Sequence, residues 1–122
     1  MNKLSRSLLG VAVAIALLSP VFLQAGPRSR LLNEDAALSL LLRTLKQNHV
    51  YEHRISRNCV TFETEETTTT YFQFVLRENH TVKCSGDPDV SPVIDRYRVY
   101  RSSGKLERYD AVKDSWQRYK PA

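Results

Sequence analysis

Recognisable catalytic motifs are what this sequence lacks. The 122 residues contain no Gly-x-Ser-x-Gly motif, and the serine, histidine and aspartate residues do not show the spacing of a known hydrolase family. General acid–base catalysis would need two titratable groups held in one pocket, and nothing in the sequence marks such a pair. We therefore expect a protein that works by binding, with no enzymatic activity and no cofactor.

Long apolar runs are rare, and the one that occurs lies at the N-terminus. Lys3 and Arg6 precede an apolar run over Leu8–Leu18, and the segment ends at Ala25. A basic start, a short apolar core and a small residue before the cut are the layout of a signal peptide. The alternative is an uncleaved membrane anchor, but Pro20 interrupts the run before it reaches spanning length. We expect export to the periplasm or the exterior, with membrane contact only where this segment stays uncleaved.

The mature chain is long enough for one domain only. Removal of 25 of the 122 residues leaves 97, a length that builds one modest core and not two. We therefore predict a signal peptide over residues 1–25, a flexible leader over residues 26–32 and a single domain over residues 33–120. No internal repeat suggests a further unit.

Cysteine is also scarce, since only Cys59 and Cys84 occur. No cysteine lies near the predicted cleavage site, which argues against a lipoprotein anchor. In an exported chain a single pair favours a disulfide bond over a reactive thiol. The bond would close a loop of about 25 residues and stabilise the fold by about 3 kcal/mol in the chain-entropy model. We predict that Cys59 and Cys84 are joined.

Neither basic nor acidic residues strongly dominate the mature part of the chain. Without the two basic residues of the signal segment, 16 of the 18 basic residues remain against 13 acidic ones. Aromatic and basic residues alternate near the C-terminus, a pattern that occurs in nucleic-acid-binding proteins. Export makes nucleic acid the poorer partner, and arginine and aromatic side chains are also the usual anchors of protein contacts. The candidate binding residues are Tyr97, Arg98, Tyr100, Arg101 and Trp116.

An alternative applies to all five candidates. In a sheet with one buried face, tyrosines complete the core while arginines on the same strand face water. We keep both interpretations open.

One amphipathic helix is predicted near the start of the domain. Asn33 is a good N-cap, and Glu34 and Asp35 place negative charge at the positive end of the helix dipole. Lys46 and His49 suit the closing turn. The apolar stripe at the 3.6-residue period consists of Leu38, Leu41, Leu42 and Leu45.

After about Tyr51 the apolar pattern has a period of two, which predicts strands. Two prolines make residues 85–92 an irregular loop, and Gly104 can supply the positive φ of a hairpin turn. Because a disulfide needs close Cα atoms, we expect Cys84 where the chain leaves the sheet and folds over its neighbour. The predicted strands cover residues 54–65, 70–78, 81–84, 95–101, 105–111 and 116–119.

This element order resembles the cystatin-like family of small exported proteins. The stretch Gln73-Phe74-Val75 matches the start of the Gln-x-Val-x-Gly hairpin of inhibitory cystatins, but Leu76-Arg77 follows, and Ser115 stands where a proline precedes the tryptophan. The resemblance implies an α+β fold: one N-terminal helix on a curved antiparallel sheet of four to five strands, a cystatin-like or NTF2-like layout. It implies fold more than activity.

Two further functions stay open beside a general binding role. One is an inhibitor or immunity-type protein that blocks a secreted enzyme. The other is a small-ligand carrier or small enzyme with a pocket between helix and sheet.

Histidines offer the best case for a metal, and it is a weak one. His49 and His53 are four residues apart, so on a continued helix they would share a face, with Glu52 or His80 as a third ligand. The helix is expected to end near His49, which separates the pair. We predict no metal site here.

Two loop motifs also have simpler interpretations. Asp87, Asp89 and Asp95 offer oxygens for calcium but lack EF-hand spacing, so we expect solvated aspartates. Asn79-His80-Thr81 is a glycosylation sequon, which matters only in a eukaryotic secretory route; we expect Asn79 in a turn.

The predicted signal peptide is tested by the mass of the protein recovered from its native cell envelope or medium. We expect a chain that begins at Gly26 and whose two thiols do not react with an alkylating agent until a reductant is added. A full-length precursor in the soluble cytoplasmic fraction, with both thiols free, would contradict the prediction of export.

Overall fold

The described part of the chain has an α+β fold, with one α-helix and a five-stranded antiparallel sheet. The computed structural model describes Gly26, residues 30–52 and residues 55–120, so the predicted signal peptide and most of the leader lie outside the described residues. In chain order the elements are α1 (Glu34–Gln47), a short 3₁₀ turn (Arg57–Cys59), β1 (Val60–Thr67), β2 (Tyr71–Glu78), β3 (Val93–Tyr100), β4 (Leu106–Asp110) and β5 (Ser115–Arg118).

The sheet is a meander in which each strand pairs with the next one along the chain. β2 is the best-paired strand, because its partners β1 and β3 follow it over almost its whole length. The β3–β4 pairing is shorter and covers only Tyr97–Val99, whereas β4 stays paired with β5 out to Asp110. From Arg96 back to Val93, β3 is therefore not paired with β4, and the two strands diverge.

Helix α1 begins as the sequence predicts. The side chain of Asn33 accepts a hydrogen bond from the Ala36 N–H at 2.9 Å, which satisfies one of the free donors of the first turn. The helix ends in a Schellman motif: the Val50 N–H bonds to the Leu45 carbonyl, and His49 adopts a positive φ of 52°. This turn sends the chain back toward the sheet, so the next residue, Tyr51, can reach β3.

The core lies between α1 and the centre of the sheet. Ala37, Leu41 and Leu45, spaced four residues apart, form the buried stripe of the helix. Leu42 was assigned to this stripe from the sequence, which is wrong, because 43% of it is exposed. The small Ala37 side chain lies among the buried residues instead. The sheet contributes Phe72, Phe74, Tyr97, Val99 and Leu106.

Two strand assignments made from the sequence are wrong. The strand predicted over residues 54–65 begins later, because Arg57–Cys59 form a 3₁₀ turn and β1 starts at Val60. The strand predicted over residues 81–84 is a turn, closed by a hydrogen bond from the Cys84 N–H to the Thr81 carbonyl at 3.0 Å. The other predicted strands lie within two residues of their observed bounds.

The predicted disulfide explains the second of these corrections. Cys59 and Cys84 are bonded, with their Cα atoms 5.5 Å apart. Residues in mid-strand on either side of β2 would be about 9 to 10 Å apart, too far for the bond. Cys84 instead lies outside the sheet, in the loop after β2, as expected. A hydrogen bond of 2.8 Å from the Asn79 N–H to the Cys59 carbonyl fixes the start of the same loop.

No helix in the described part of the chain is long and apolar enough to cross a membrane.

Replacement of both cysteines, C59S/C84S, should lower the free energy of unfolding by about 3 kcal/mol, because the unfolded chain regains the freedom of a 25-residue loop. Urea unfolding measures the change. Wild-type protein in a strong reductant is the matched control and should reproduce the loss, whereas the variant should be insensitive to the reductant. Equal stability of variant and wild type would show that the bond does not stabilise this loop.

Candidate functional site

The sheet has two faces that differ in what covers them. On the inner face, α1 packs against β2 and β3. The alternate residues of each strand point to the opposite side of the sheet and form the outer face. On this face, polar and aromatic groups contact one another. By strand register, the residues of this outer face include Tyr71, Gln73, Arg96, Arg98, Tyr100, Glu107, Tyr109 and Trp116.

Arg98 lies at the centre of the outer face. Its guanidinium carbon is 4.3 Å from the ring centre of Tyr71 and 4.0 Å from that of Trp116, so two aromatic faces hold the group. Its Nε donates to the Gln73 side-chain oxygen at 2.9 Å. Its terminal nitrogens have no hydrogen-bond acceptor in the described ranges. The result is an oriented cation with free donors.

Two carboxylates of the outer face, Glu65 and Glu107, form ion pairs. Arg96 makes a bidentate contact with Glu65, at 2.9 and 3.0 Å, and this contact is the main reason that the pKa of Glu65 is lowered. Lys105 contacts Glu107 at 2.8 Å. Burial raises the pKa of Glu107, but hydrogen bonds from Lys105 and Tyr100 outweigh it and lower the value. Arg98 makes no ion pair with a described residue, although its charge also helps to lower the pKa of Glu107.

The structure separates the five predicted binding residues. Arg98, Tyr100 and Trp116 lie together on the outer face, all half-buried. Tyr97 lies on the inner face, is 0% exposed and belongs to the core. It therefore cannot contact a partner without a change in the fold.

Arg101 occupies a third position, at the hairpin end of the sheet. It donates to the carbonyl of Leu32 at 3.3 Å and to that of Thr68 at 3.0 Å, and it lies over the ring of Phe72. The Leu32 N–H in turn bonds to the Arg101 carbonyl. Arg101 thus ties Leu32, which precedes the N-cap residue of the helix, to the sheet.

A polar network that the sequence analysis missed lies on the inner face beyond the helix. The side chain of Asp95 is 9% exposed and receives two hydrogen bonds of 2.9 Å from Arg108 and one from the hydroxyl of Tyr51. The hydroxyls of Tyr51 and Tyr97 are 2.5 Å apart and share a hydrogen bond. The available signal was an aspartate that alternates with Tyr97 and Val99 on one strand face.

Burial changes the acidity of both tyrosines in this network. It is the largest cause that raises the pKa of Tyr97 to about 12, from an ordinary value of 10.0. Burial, with Tyr97 and Asp95 close by, also raises the pKa of Tyr51 far above the ordinary range. Both hydroxyls therefore stay protonated at neutral pH, and the network carries one carboxylate and one guanidinium.

Two open depressions border this network. The first, which we name the splayed-end cleft, has a volume of about 640 Å³ and lies where β3 and β4 diverge; Asp95 and Arg108 are on its wall. The second, the helix-end groove, has a volume of about 680 Å³ and lies between the end of α1 and the start of β1, with Tyr51 on its wall. Apolar residues of the helix-end groove are Leu42, Leu45, Ile55, Val60 and Phe62.

The histidines considered as metal ligands have other contacts. His49 pairs with Glu52 at 2.7 Å, and His53 lies outside the described residues. His80 contacts Glu78 at 3.0 Å and the Asp87 carbonyl at 2.9 Å. Within residues 30–52 and 55–120, no three histidine, cysteine or acidic side chains lie close enough together to hold a metal ion.

The remaining loop motifs have structural contacts. Asp95 belongs to the inner network, while Asp87 accepts a hydrogen bond from the Asp89 N–H at 3.0 Å. The side-chain amide of Asn79, in the glycosylation sequon, donates to the Thr61 hydroxyl and is half-buried. A glycan at this position would have to break that contact.

Comparisons of the chain with family models, with curated proteins and with solved structures found no match. The function is therefore argued from the contacts and charges of the chain itself.

The inner network predicts a loss of stability at high pH. The folded state raises the pKa of the Tyr97 hydroxyl from 10.0 to about 12. The stability that the neutral hydroxyl contributes is therefore complete below pH 10, and it is lost as the pH rises through about 12. Between about pH 9 and 12, the free energy of unfolding of Tyr97→Phe should therefore fall by about 2 kcal/mol less than that of the wild type. Urea unfolding at each pH measures the difference, and parallel losses in the two proteins would contradict it.

Proposed function

We propose that this chain is an exported binding protein whose outer sheet face takes up an acidic surface of a protein partner, without catalysis. The observation that carries the proposal is Arg98, held against Tyr71 and Trp116, with no acceptor for its terminal nitrogens among the described residues. The disulfide supports the export on which the choice of a protein partner rests.

The geometry of Arg98 suits a carboxylate. A guanidinium presents two parallel N–H donors that match the two oxygens of a carboxylate, which a lysine cannot do. The rings and Gln73 fix the orientation before a partner arrives, so less side-chain freedom is lost on binding. Tryptophan, tyrosine and arginine are also the residues that contribute most to protein interfaces.

Charge favours an acidic partner over a second copy of this chain. Two acidic groups of the outer face are already paired, Glu65 with Arg96 and Glu107 with Lys105. A second copy would bring the same Arg98, and the carboxylate of Glu66, which has no ion pair among the described residues, already accepts a hydrogen bond from the Tyr71 hydroxyl at 3.2 Å. A partner with a free aspartate or glutamate would supply the missing charge.

The contacts of the chain support the two alternative functions, an inhibitor and a carrier or small enzyme, to different extents. An inhibitor or immunity-type protein is a special case of the proposal, in which the partner is a secreted enzyme. A carrier or enzyme with a pocket between helix and sheet is less well supported, because Leu41, Phe74 and Tyr97 fill the centre of that space, each 0% exposed, and leave only the open helix-end groove at its edge. The meander that follows a single helix supports a cystatin-like layout.

Arg98→Lys tests the proposal, because it keeps the charge and removes the planar pair of donors. We expect about tenfold weaker capture of a stoichiometric partner from envelope extract, measured by pull-down and native mass spectrometry. The matched control is Arg43→Lys on the exposed side of α1, which should bind as the wild type does.

Both variants should keep the wild-type melting temperature within about 6 °C. Equal capture by Arg98→Lys and the wild type, or no stoichiometric partner at all, would contradict the proposal. A large loss of melting temperature in Arg98→Lys would show that the residue serves the stability of the sheet instead.

A further inference from the structure

The splayed-end cleft exists because two neighbouring strands separate. β2 stays paired with β3 back to Val93, and β5 stays paired with β4 out to Asp110, but the β3–β4 pairing stops at Tyr97 and Arg108. The first half of β3 therefore has a strand neighbour on one side only. Its other side faces the cleft, where main-chain groups can receive an extended segment.

Positive charge is in excess in this cleft. Among the described residues, its walls carry two carboxylates, and both are occupied: Asp95 by Arg108, and Asp110 by the N–H groups of Val112 and Lys113. The cationic side chains on its walls are Arg96, Arg108, Arg118 and Lys120.

Three of these cations can act on a ligand. Arg118 and Lys120 are exposed and have no ion-pair partner in the described part of the chain. Arg108 uses Nε and Nη2 to hold Asp95, which fixes its guanidinium while 40% of its side chain stays exposed. The cleft thus combines one guanidinium held by Asp95 with two exposed cations that have no ion pair among the described residues.

We propose that the splayed-end cleft is a second anion site, which binds the carboxylates of an extended acidic segment. That this segment belongs to the same partner rests on the proposed function; the cleft itself does not. The cleft is continuous with the outer face, because Tyr109, next to Trp116 on that face, also lines it. One partner can therefore reach Arg98 and the cleft together.

A peptide titration tests the cleft without a known partner. The probe is an acetylated and amidated hexapeptide of glutamate, added at low salt to the ¹⁵N-labelled mature chain and followed by NMR. We expect shifts of the Ile94, Asp110, Gln117 and Tyr119 amides, and no such shifts with the matching glutamine hexapeptide.

Two double variants with the same change of net charge locate the site. R118Q/K120Q should weaken glutamate-peptide binding about fivefold, as expected for the loss of two exposed charge contacts. R43Q/K83Q removes two cations elsewhere on the surface and should leave binding unchanged.

The inference is overturned if the cleft amides do not shift, if the glutamine peptide binds equally well, or if both double variants weaken binding to the same extent. Arg98→Lys separates this result from the proposed function. Peptide binding that survives Arg98→Lys but not R118Q/K120Q supports the cleft whatever the pull-down shows. Binding lost only in Arg98→Lys overturns the cleft and leaves the outer-face proposal standing.

Discussion

The structure depends on one constraint: a single helix covers a sheet that is wider than the helix. A helix with its side chains is about 10 Å across, whereas five strands spaced about 4.8 Å apart extend over about 19 Å. The 14 residues of α1 therefore pack mainly on β2 and β3. The rest of the inner face and the whole outer face have to be completed by side chains of the sheet itself.

This constraint accounts for the two polar networks. Beyond the helix, Asp95 is buried not by an apolar layer but by Arg108 and Tyr51, whose hydrogen bonds compensate for the loss of water. On the outer face, the aliphatic Val75 is 2% exposed although no second layer of described residues lies over it, because long charged side chains on the neighbouring strands shield it. Rings and guanidinium groups thus replace a second layer and leave Arg98 oriented toward a partner.

Much of the fold could be predicted from the sequence, because it depends on local patterns. The Asn33 cap, the helix period and the hairpin at Gly104, whose φ is 68°, are each signalled by adjacent residues. The residue pattern at 81–84 resembles a short strand, and only the predicted disulfide, which joins the turn before β1 to the loop after β2, indicates that Cys84 leaves the sheet. The Asp95 network depends on the register of β3 against β4 and on the path of the chain after α1.

Of the five residues predicted to bind, Arg98, Tyr100 and Trp116 lie on the outer face, and their role in binding stays a prediction. The five residues were chosen by composition, whereas strand parity decides which of them face outward: Arg98 and Tyr100 share one parity, Tyr97 the other. The contact by which Gln73 orients Arg98 could be recognised only from the pairing of β2 with β3.

The central claim is that Arg98 is held in one orientation before any partner binds. NMR relaxation of the Arg98 Nε–H and the Trp116 indole N–H in the free protein tests it most directly. The account predicts order parameters close to those of rigid backbone, about 0.8 or higher, for both groups. Values below about 0.6 would show a mobile guanidinium and a face that is not organised for binding.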